Sequence, residues 1–424
     1  MSPRALAPAI ILAASIAACA VVPAQARQCS PQWLPSEGAP GLDANGAILA
    51  STTSDPDGDG PEPELLVVAG SFWGAGDITA IGIAAWDGQS SRALGNATGT
   101  EVCGIHALAV YNGDLIAAGG FSTSFGSPAN FVARFDVATQ SWKPLDGSTN
   151  HVVRALAVYG GELIATSFFT TAGGLAANHV ARWNGSSWAP FSTALPSTQV
   201  ALAVHDGQLI AAGNGVFRWT GSGWQQLGPT MSVATLAVHD GALIAGGAFR
   251  IVSGGPANHI ARWDGLEWQP FGSGMDDAVE ALATFEGELI AGGLFDHAGG
   301  VLVSGLSRWN GATWLSVGAG GGRTVSSLCV YDGDLILGGT ESRASGNFAT
   351  RVMRWDAPCG ARSAPGWTAS CSPWRSTRDT STPAAGSPPR AASQTPEDSC
   401  AARARVPRPH GNRSAAGSAA TTRS

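Results

Sequence analysis

Short apolar runs alternate along the chain with glycine-containing turns, and one such run recurs seven times. In each copy a leucine opens a stretch of Ile, Val and Ala that ends in small residues, as in Leu243-Ile244-Ala245-Gly246-Gly247. Apolar runs of this length between turn residues are typical of buried β-strands, and a repeat of roughly 46 residues indicates an array of similar units. The leading leucines are Leu66, Leu115, Leu163, Leu209, Leu243, Leu289 and Leu335.

Each repeat contains the pattern of four antiparallel strands. A first apolar strand ends in a pair such as Asn112-Gly113, whose residues tolerate the positive φ angles of a type I′ turn into the Leu-Ile-Ala strand. A loop, a third strand at 179–183 and a fourth strand at Trp188 complete the third repeat. Four antiparallel strands per repeat predict an all-β protein, a seven-bladed β-propeller with one repeat per blade.

The fourth repeat supports this interpretation. Only 34 residues separate Leu209 from Leu243. The missing residues belong to the loop between strands 2 and 3, which is reduced to Gly213-Asn214-Gly215, whereas all four strand patterns remain. A blade tolerates the loss of a surface loop more easily than the loss of a strand.

The two ends of the array complement each other. The seventh repeat runs through its third strand to Trp355 and lacks a fourth, whereas an extra strand with Trp33 precedes the first repeat. We therefore expect an N-terminal strand to complete the last blade. Cys29 and Cys359 then fall in the same turn between strands 3 and 4, within the roughly 4.4–6.8 Å Cα separation that a disulfide needs. We predict a structural disulfide between them, provided that the protein is exported to an oxidising compartment.

The repeats resemble those of kelch-type β-propellers, which combine an apolar run, a double glycine and a tryptophan in an outer strand. The segment from Asn130 to Trp142 shows the resemblance best. Roughly residues 32 to 357 are also similar to repeats of secreted bacterial kelch-like proteins and of fungal cortical polarity markers. The resemblance implies the propeller fold and a role as a binding platform, an adhesin or occasionally an enzyme.

Both ends of the chain differ in composition from the repeats. Residues 1–26, with Arg4, an apolar stretch and Ala24-Gln25-Ala26, have the features of a signal peptide; a membrane anchor and lipidation at Cys19 are alternatives. We assign 27–360 to the propeller and expect 361–424, rich in Ser, Ala, Pro and Arg, to be disordered. A shifted reading frame is the alternative for this tail. No later segment is apolar enough to span a membrane, and we expect a secreted or cell-surface location.

The net charge of the repeats limits the kinds of molecule that the protein can bind. Residues 27–360 carry 14 basic and 28 acidic side chains, and so acidic a surface repels nucleic acid. We expect a monomer that binds a protein or a glycan.

Candidate ligand-binding residues lie in the loops between strands 2 and 3, which share a face of a propeller with the connections between blades. Two Asn-His pairs recur at one repeat position, and one Asp-His pair stands where other blades have Thr or Ser-like residues. The candidates are Asn178, His179, Asn258, His259, Asp296 and His297.

Metal chemistry is the alternative for some of these residue types. The resemblance to kelch-like copper oxidases implies Tyr and His ligands, but the Tyr and His residues at the end of strand 1 form a repeat column and not a single cluster. The acidic stretch 55–60 resembles a calcium loop, yet Leu66 stands where the last ligand would be. We expect neither a metal nor another cofactor. The Tyr and His column comprises Tyr111, Tyr159, His205, His239 and Tyr331.

These observations favour a secreted, non-enzymatic propeller that binds a protein or glycan through one loop face. An extracellular oxidase or lyase using Asp296 and His297 is an alternative, and so is a structural or polarity component of the cell surface. The sequence identifies no ligand.

Overall fold

The computed structural model describes residues 32–35, 47–58, 60–72, 74–75, 78–95, 104–121, 123–124, 127–128, 130–253, 255–317, 324–341 and 352–356. These residues form seven four-stranded antiparallel sheets and no helix. The described part of the chain therefore contains no helix that is long and apolar enough to span a membrane. The seven-bladed β-propeller predicted from the repeats is confirmed.

Strands are numbered 1 to 4 in each blade, outward from the central axis. Their bounds are Ala47–Ser54, Leu65–Ser71, Ile83–Trp86 and Ser91–Ala93 in blade one; Ile105–Tyr111, Asp114–Gly119, Val132–Asp136 and Ser141–Pro144 in blade two; Val153–Tyr159, Glu162–Ser167, Val180–Trp183 and Trp188–Pro190 in blade three; Gln199–His205, Gln208–Gly213, Gly215–Trp219 and Trp224–Gln226 in blade four; Val233–His239, Ala242–Gly247, Ile260–Trp263 and Trp268–Pro270 in blade five; Val279–Phe285, Glu288–Gly293, Leu306–Trp309 and Trp314–Ser316 in blade six; and Thr324–Tyr331, Asp334–Glu341, Val352–Asp356 and Gln32–Pro35 in blade seven.

Five blades carry an additional short hairpin between strands 2 and 3. These hairpins are Gly74–Ala75 with Ile78–Thr79 in blade one, Thr123–Ser124 with Ser127–Pro128 in blade two, Thr171–Ala172 with Leu175–Ala176 in blade three, Ile251–Val252 with Gly255–Pro256 in blade five, and His297–Ala298 with Val301–Leu302 in blade six.

The ring is closed by the N-terminal strand, as predicted. Strand 1 of every blade contacts strand 1 of the next, and blade seven contacts blade one in the same way. The strand Gln32–Pro35 pairs antiparallel with Val352–Asp356 and places Trp33 opposite Trp355. The two ends of the repeat array are thus joined in one sheet. Cys29 and Cys359 lie outside the described residues, so their disulfide remains a prediction.

The turns between strands 1 and 2 have the geometry that their sequences predict. Asn112 and Gly113 have φ angles of 52° and 84°, and Asp240 and Gly241 have φ angles of 48° and 72°. Two consecutive positive φ angles define a type I′ turn, whose twist matches that of the flanking strands. Each such turn leads strand 1 directly into strand 2.

A β-bulge interrupts strand 1 near its start in every blade. Paired glycines at the end of strand 2 lie beside it. A Cβ atom on Gly293 would lie 2.1 Å from the carbonyl oxygen of Ala278 in the same blade, and one on Gly292 would lie 2.5 Å from Cγ1 of Val325 in the next blade. The first glycine therefore allows close packing between blades, and the second allows close packing within a blade.

The hydrophobic core is divided into layers between neighbouring blades, and strand 4 tryptophans fill them. Trp268 and Trp314 are almost completely buried. The Trp268 indole donates a hydrogen bond to the Leu227 carbonyl at 2.9 Å, and the Trp314 indole donates to the Phe271 carbonyl at 3.4 Å. Each accepting carbonyl follows strand 4 of the preceding blade, so each indole also fastens two blades together.

The described blades form a complete ring without any residue after Asp356. We therefore expect a chain that ends at Gly360 to melt within a few degrees of the full-length protein, because residues 361–424 supply almost no apolar surface to a core. Scanning calorimetry measures the difference. A chain that ends before Val352 is the control, because it loses the third strand of blade seven, and we expect it to melt much lower. A large loss of stability in the longer chain would place the domain boundary elsewhere.

Candidate ligand-binding face

The connections from strand 2 to strand 3, and those between blades, lie on one side of the ring, which we call the loop face. The tight turns from strand 1 to 2 and from 3 to 4 form the opposite side, the turn face. The five short hairpins belong to the loop face. In blade four, Asn214 alone joins strands 2 and 3. The loop face is therefore where the blades differ most in length.

His179 and His259 support the bases of two hairpins. Their φ angles are 72° and 73°, and their Nδ1 atoms donate hydrogen bonds to the carbonyls of Ser167 and Gly247 at 3.0 and 3.2 Å. His259 is buried. These bonds remain within one blade, so they stabilise the loop and leave the imidazoles little freedom to bind a ligand.

Asn178 and Asn258, which precede these histidines, are both exposed on the loop face. The Asn258 side chain donates a hydrogen bond to the Ser273 carbonyl at 3.0 Å. Its backbone carbonyl accepts one from the Met275 backbone at 2.9 Å. Asn258 thereby joins the hairpin of blade five to the connection leading into blade six.

Asp296 and His297 are held by Asp276, which sequence reasoning did not identify. One carboxylate oxygen of Asp276 accepts hydrogen bonds from both backbone N–H groups, each at 2.9 Å, and the other accepts from His297 Nδ1 at 2.9 Å. Burial raises the pKa of Asp276, but these hydrogen bonds and the charge of His297 outweigh it, and the pKa lies below its usual value. The result is an exposed carboxylate–imidazole pair.

In blade three an uncharged side chain accepts the same pair of backbone hydrogen bonds, and comparison of the two repeats could have revealed Asp276. There the Asn150 side-chain oxygen accepts hydrogen bonds from the backbone of Thr170 and Thr171 at 2.9 and 3.0 Å. Asn150 and Asp276 both precede strand 1 of their blade. The arrangement is thus a repeat feature to which blade six adds a titratable pair.

A cavity of about 300 Å³ between blades five and six brings several predicted residues together. Asn258, His259 and His297 line it, together with Arg250 and Asp276. Asn178 and His179 lie in blade three and do not contribute. The lining offers an amide, a guanidinium and a carboxylate–imidazole pair, groups that can form hydrogen bonds with a hydroxylated or polar ligand.

An aromatic and cationic patch spans blades two and three on the same face. The His151 ring stacks on Phe131, with a centroid distance of 6.3 Å and an interplanar angle of 14°, and its centroid lies 6.0 Å from that of Phe168. The Arg154 guanidinium lies 5.8 Å from the Phe168 centroid. Phe168 is 44% exposed, and His151 and Arg154 are exposed as well. We call these four residues the aromatic patch.

The Tyr and His column on the turn face joins neighbouring blades. The Tyr111 hydroxyl donates to the Gly161 carbonyl and the Tyr331 hydroxyl to the Glu64 carbonyl, both at 3.2 Å, and His205 Nε2 donates to the Gly241 carbonyl at 3.0 Å. Each bond reaches the next blade, and that of Tyr331 crosses the junction of blades seven and one. Three of the five members of the column thus connect neighbouring blades.

The remaining side chains of types that bind metals or act as nucleophiles are hydrogen-bonded locally or buried. Within the described ranges, no three His, Cys, Asp or Glu side chains form a group that could hold a metal ion. Asp55 and Asp57 accept hydrogen bonds from backbone N–H groups of their own turn. Cys329 is not in a disulfide, and burial raises the pKa of its thiol to about 11, although a hydrogen bond with Ser51 opposes this. Such a thiol is a poor nucleophile near neutral pH.

Comparison with solved structures shows the same fold. The extracellular domain of a B. thetaiotaomicron protein that is named as a one-component system is 13% identical, with a TM-score of 0.51, over 76% of this chain and 39% of that chain. The WD40 repeats of RRP9 are 14% identical (TM-score 0.48; 77% and 99% of the two chains), and the designed Ika8 protein is 17% identical (TM-score 0.43; 75% and 99%). No protein-family model matches the chain, and no curated protein matches it. At these identities the comparisons bear on fold alone.

Proposed function

We propose that this protein is an exported, non-enzymatic binding propeller whose loop face takes a protein or glycan ligand. The observation that carries the proposal is the aromatic patch. Phe168 is an exposed aromatic at a position where none of the other six blades has an aromatic residue. The corresponding residues are Ser71, Gly120, Asn214, Ala248, Leu294 and Thr340. A large exposed aromatic beside a guanidinium can stack on a sugar ring or a partner side chain while the cation forms hydrogen bonds.

Two further observations support the location and the role. The N-terminal residues have the features of a signal peptide, which supports export. The kelch-like pattern of the repeats is part of the same proposal, because propellers of that type commonly serve as binding platforms.

The test is a glycan array, with affinity chromatography on surface extracts as the protein arm, using the full-length protein. We expect the Phe168→Ala variant to lose binding about tenfold or more, because a central aromatic often accounts for much of the energy of an interface. Leu266→Ala is the matched control, since Leu266 is 89% exposed but lies on the turn face. Equal binding by both variants and the wild type would exclude the aromatic patch as the site.

The Asp276–His297 pair is the specific observation that favours the alternative, an extracellular enzyme. A carboxylate that orients an imidazole is a common arrangement for general-base catalysis. Under that alternative, turnover of a bound glycan would stop in the His297→Ala variant, whereas binding through the aromatic patch would persist. Under the binding proposal, a captured glycan is released unchanged by the wild-type protein, which mass spectrometry of the eluted ligand establishes.

A further inference from the structure

Ion pairs at one repeat position, which we call the ion-pair column, link strands 2 and 3. An arginine in strand 3 meets a carboxylate at the start of strand 2 of the same blade in four blades. These pairs are Arg134–Asp114 at 2.8 Å, Arg182–Glu162 at 3.3 Å, Arg308–Glu288 at 2.7 Å and Arg354–Asp334 at 2.6 Å. Most of these side chains are partly exposed, so each pair contributes little to stability, but it neutralises the arginine.

Blades four and five keep the arginine and lack the carboxylate. Arg218 and Arg262 occupy the strand 3 positions and pair with Ile210 and Ile244. At the start of strand 2, where the other four blades have the carboxylate, these blades have Gln208 and Ala242. Arg218 donates one hydrogen bond to the Gln225 side chain at 2.7 Å, and its Nε atom is buried without a partner. No carboxylate within the described ranges forms an ion pair with either arginine. Two cations of the column are thus left without the counter-charge that the other blades provide.

Both arginines line one cavity of about 430 Å³ between blades four and five, on the turn face. His205 and Trp263 also line it. A cavity of about 400 Å³ lies at the corresponding place between blades two and three, but there Asp114 is already paired with the lining Arg134. The two cavities can therefore be compared. In the cavity between blades two and three the arginine is paired with a carboxylate, whereas in the cavity between blades four and five the arginines are not.

Three aspartates also line this cavity, and their carboxylates accept other hydrogen bonds or are exposed to solvent. Asp264 accepts hydrogen bonds from the backbone of Glu267 and Leu266 and from the Gln269 side chain, which lower its pKa. Asp206 and Asp240 belong to the tight turns, with side chains 80% and 84% exposed. None of these three carboxylates lies within ion-pair distance of either arginine.

We infer that the cavity between blades four and five is a binding site for a carboxylate-bearing ligand, such as an acidic sugar, held by Arg218 and Arg262. A guanidinium matches a carboxylate with parallel, charge-assisted hydrogen bonds, and neither of these two guanidinium groups forms an ion pair with a carboxylate of the described residues. Trp263, which also lines the cavity, provides an apolar wall for the body of the ligand. This site is separate from the loop face, so it does not depend on the function proposed above.

The test introduces, at the start of strand 2 in blades four and five, the carboxylates that four other blades have at this position. Ligand-observed NMR titrations use methyl glucuronide as the probe and methyl glucoside as its neutral counterpart. We expect saturable binding of the glucuronide to the wild-type protein and an increase in Kd of about tenfold or more in the Gln208→Glu/Ala242→Glu variant, because each new carboxylate takes an arginine. The melting temperature of this double variant should be equal to or higher than that of the wild type, since four other blades accept an acidic residue at this position.

Ile251→Glu/Leu302→Glu is the control for net charge, because it also adds two carboxylates, at side chains that are each 65% exposed on the hairpins of blades five and six. Its Kd should stay within about twofold of the wild type. Arg262→Gln should weaken binding without adding any negative charge. The inference is overturned if the wild type shows no saturable binding, if methyl glucoside binds equally well, or if the double variant binds like the wild type.

Discussion

Replacing Trp33 with alanine is expected to lower the free energy of unfolding of the whole propeller by about 3–5 kcal/mol, a large part of the roughly 5–15 kcal/mol available to a folded domain. Trp33 lies opposite Trp355 in the fourth strand of blade seven. Its counterparts Trp268 and Trp314 are buried and bonded to the preceding blade. Because this strand joins the two ends of the repeat array, its loss opens the ring.

Urea unfolding measures the loss, and native-state hydrogen exchange locates it, with protection falling first in blades one and seven. Gln32→Ala is the matched control, since it truncates the neighbouring residue of the same strand, and we expect it to change stability by less than about 0.5 kcal/mol. Closure by this strand would be wrong if Trp33→Ala, or removal of residues 27–36, left unfolding and exchange unaltered.

Gly293→Ala is expected to cost about 2–3 kcal/mol, although alanine suits the strand conformation of this residue. Its Cβ would lie 2.1 Å from the Ala278 carbonyl oxygen and 3.0 Å from Val279 Cα, and both are backbone atoms that cannot move independently. The substitution should also break the hydrogen bond from the Leu294 N–H to the Ala278 carbonyl, now 2.9 Å long. Thermal and urea unfolding measure the effect.

Gly292→Ala provides the comparison one residue away. Its added methyl meets the Val325 side chain in the next blade, and blades one, two and four already have alanine there, at Ala69, Ala118 and Ala212. We expect a smaller loss than for Gly293→Ala, about 1–2 kcal/mol, because the Val325 side chain can shift more easily than backbone and because restricting the unfolded chain offsets part of the cost. Equal losses for the two variants would show that the distinction between backbone and side-chain neighbours is incorrect.

The parts of the fold that follow from local rules were predictable from the sequence. Asn112-Gly113 and its counterparts specify the turn type, and repetition of the unit specifies blades. Trp33 and Trp355 could be paired because each end of the array shows what the other lacks. The β-bulge in strand 1 was not predictable in this way, because the extra residue, such as Glu280 in blade six, leaves the apolar pattern of the strand unchanged.

The candidate site was less accessible to sequence reasoning. The loop face was identified, and Asn258, His259 and His297 do line one of its cavities. Spacing alone could not show that the imidazole of His259 is bound to a carbonyl of its own blade. Nor could it show Asp276, whose function depends on the geometry between two loops.

The aromatic patch was missed because its members come from two repeats. The available signal was a departure from the repeat column at Ser167 and Phe168. Ser167 stands where the other described blades have glycine, and the Phe168 N–H forms no bond of the kind that Leu294 makes, as far as the described backbone shows. Deviations from a repeat are therefore a better guide to binding residues here than residue type.

Joining the first strand to the last imposes an order on biosynthesis. Gln32–Pro35 leaves the ribosome before any other described strand, but its partner Val352–Asp356 follows only at the end of the seventh repeat. Blades one to six can form as they emerge, whereas the N-terminal strand stays unpaired until the third strand of blade seven has been made. Pairing so distant in sequence is slow. The nascent protein therefore passes through a stage with an unpaired N-terminal strand and an open ring, in which proteolysis and aggregation compete with completion of the ring.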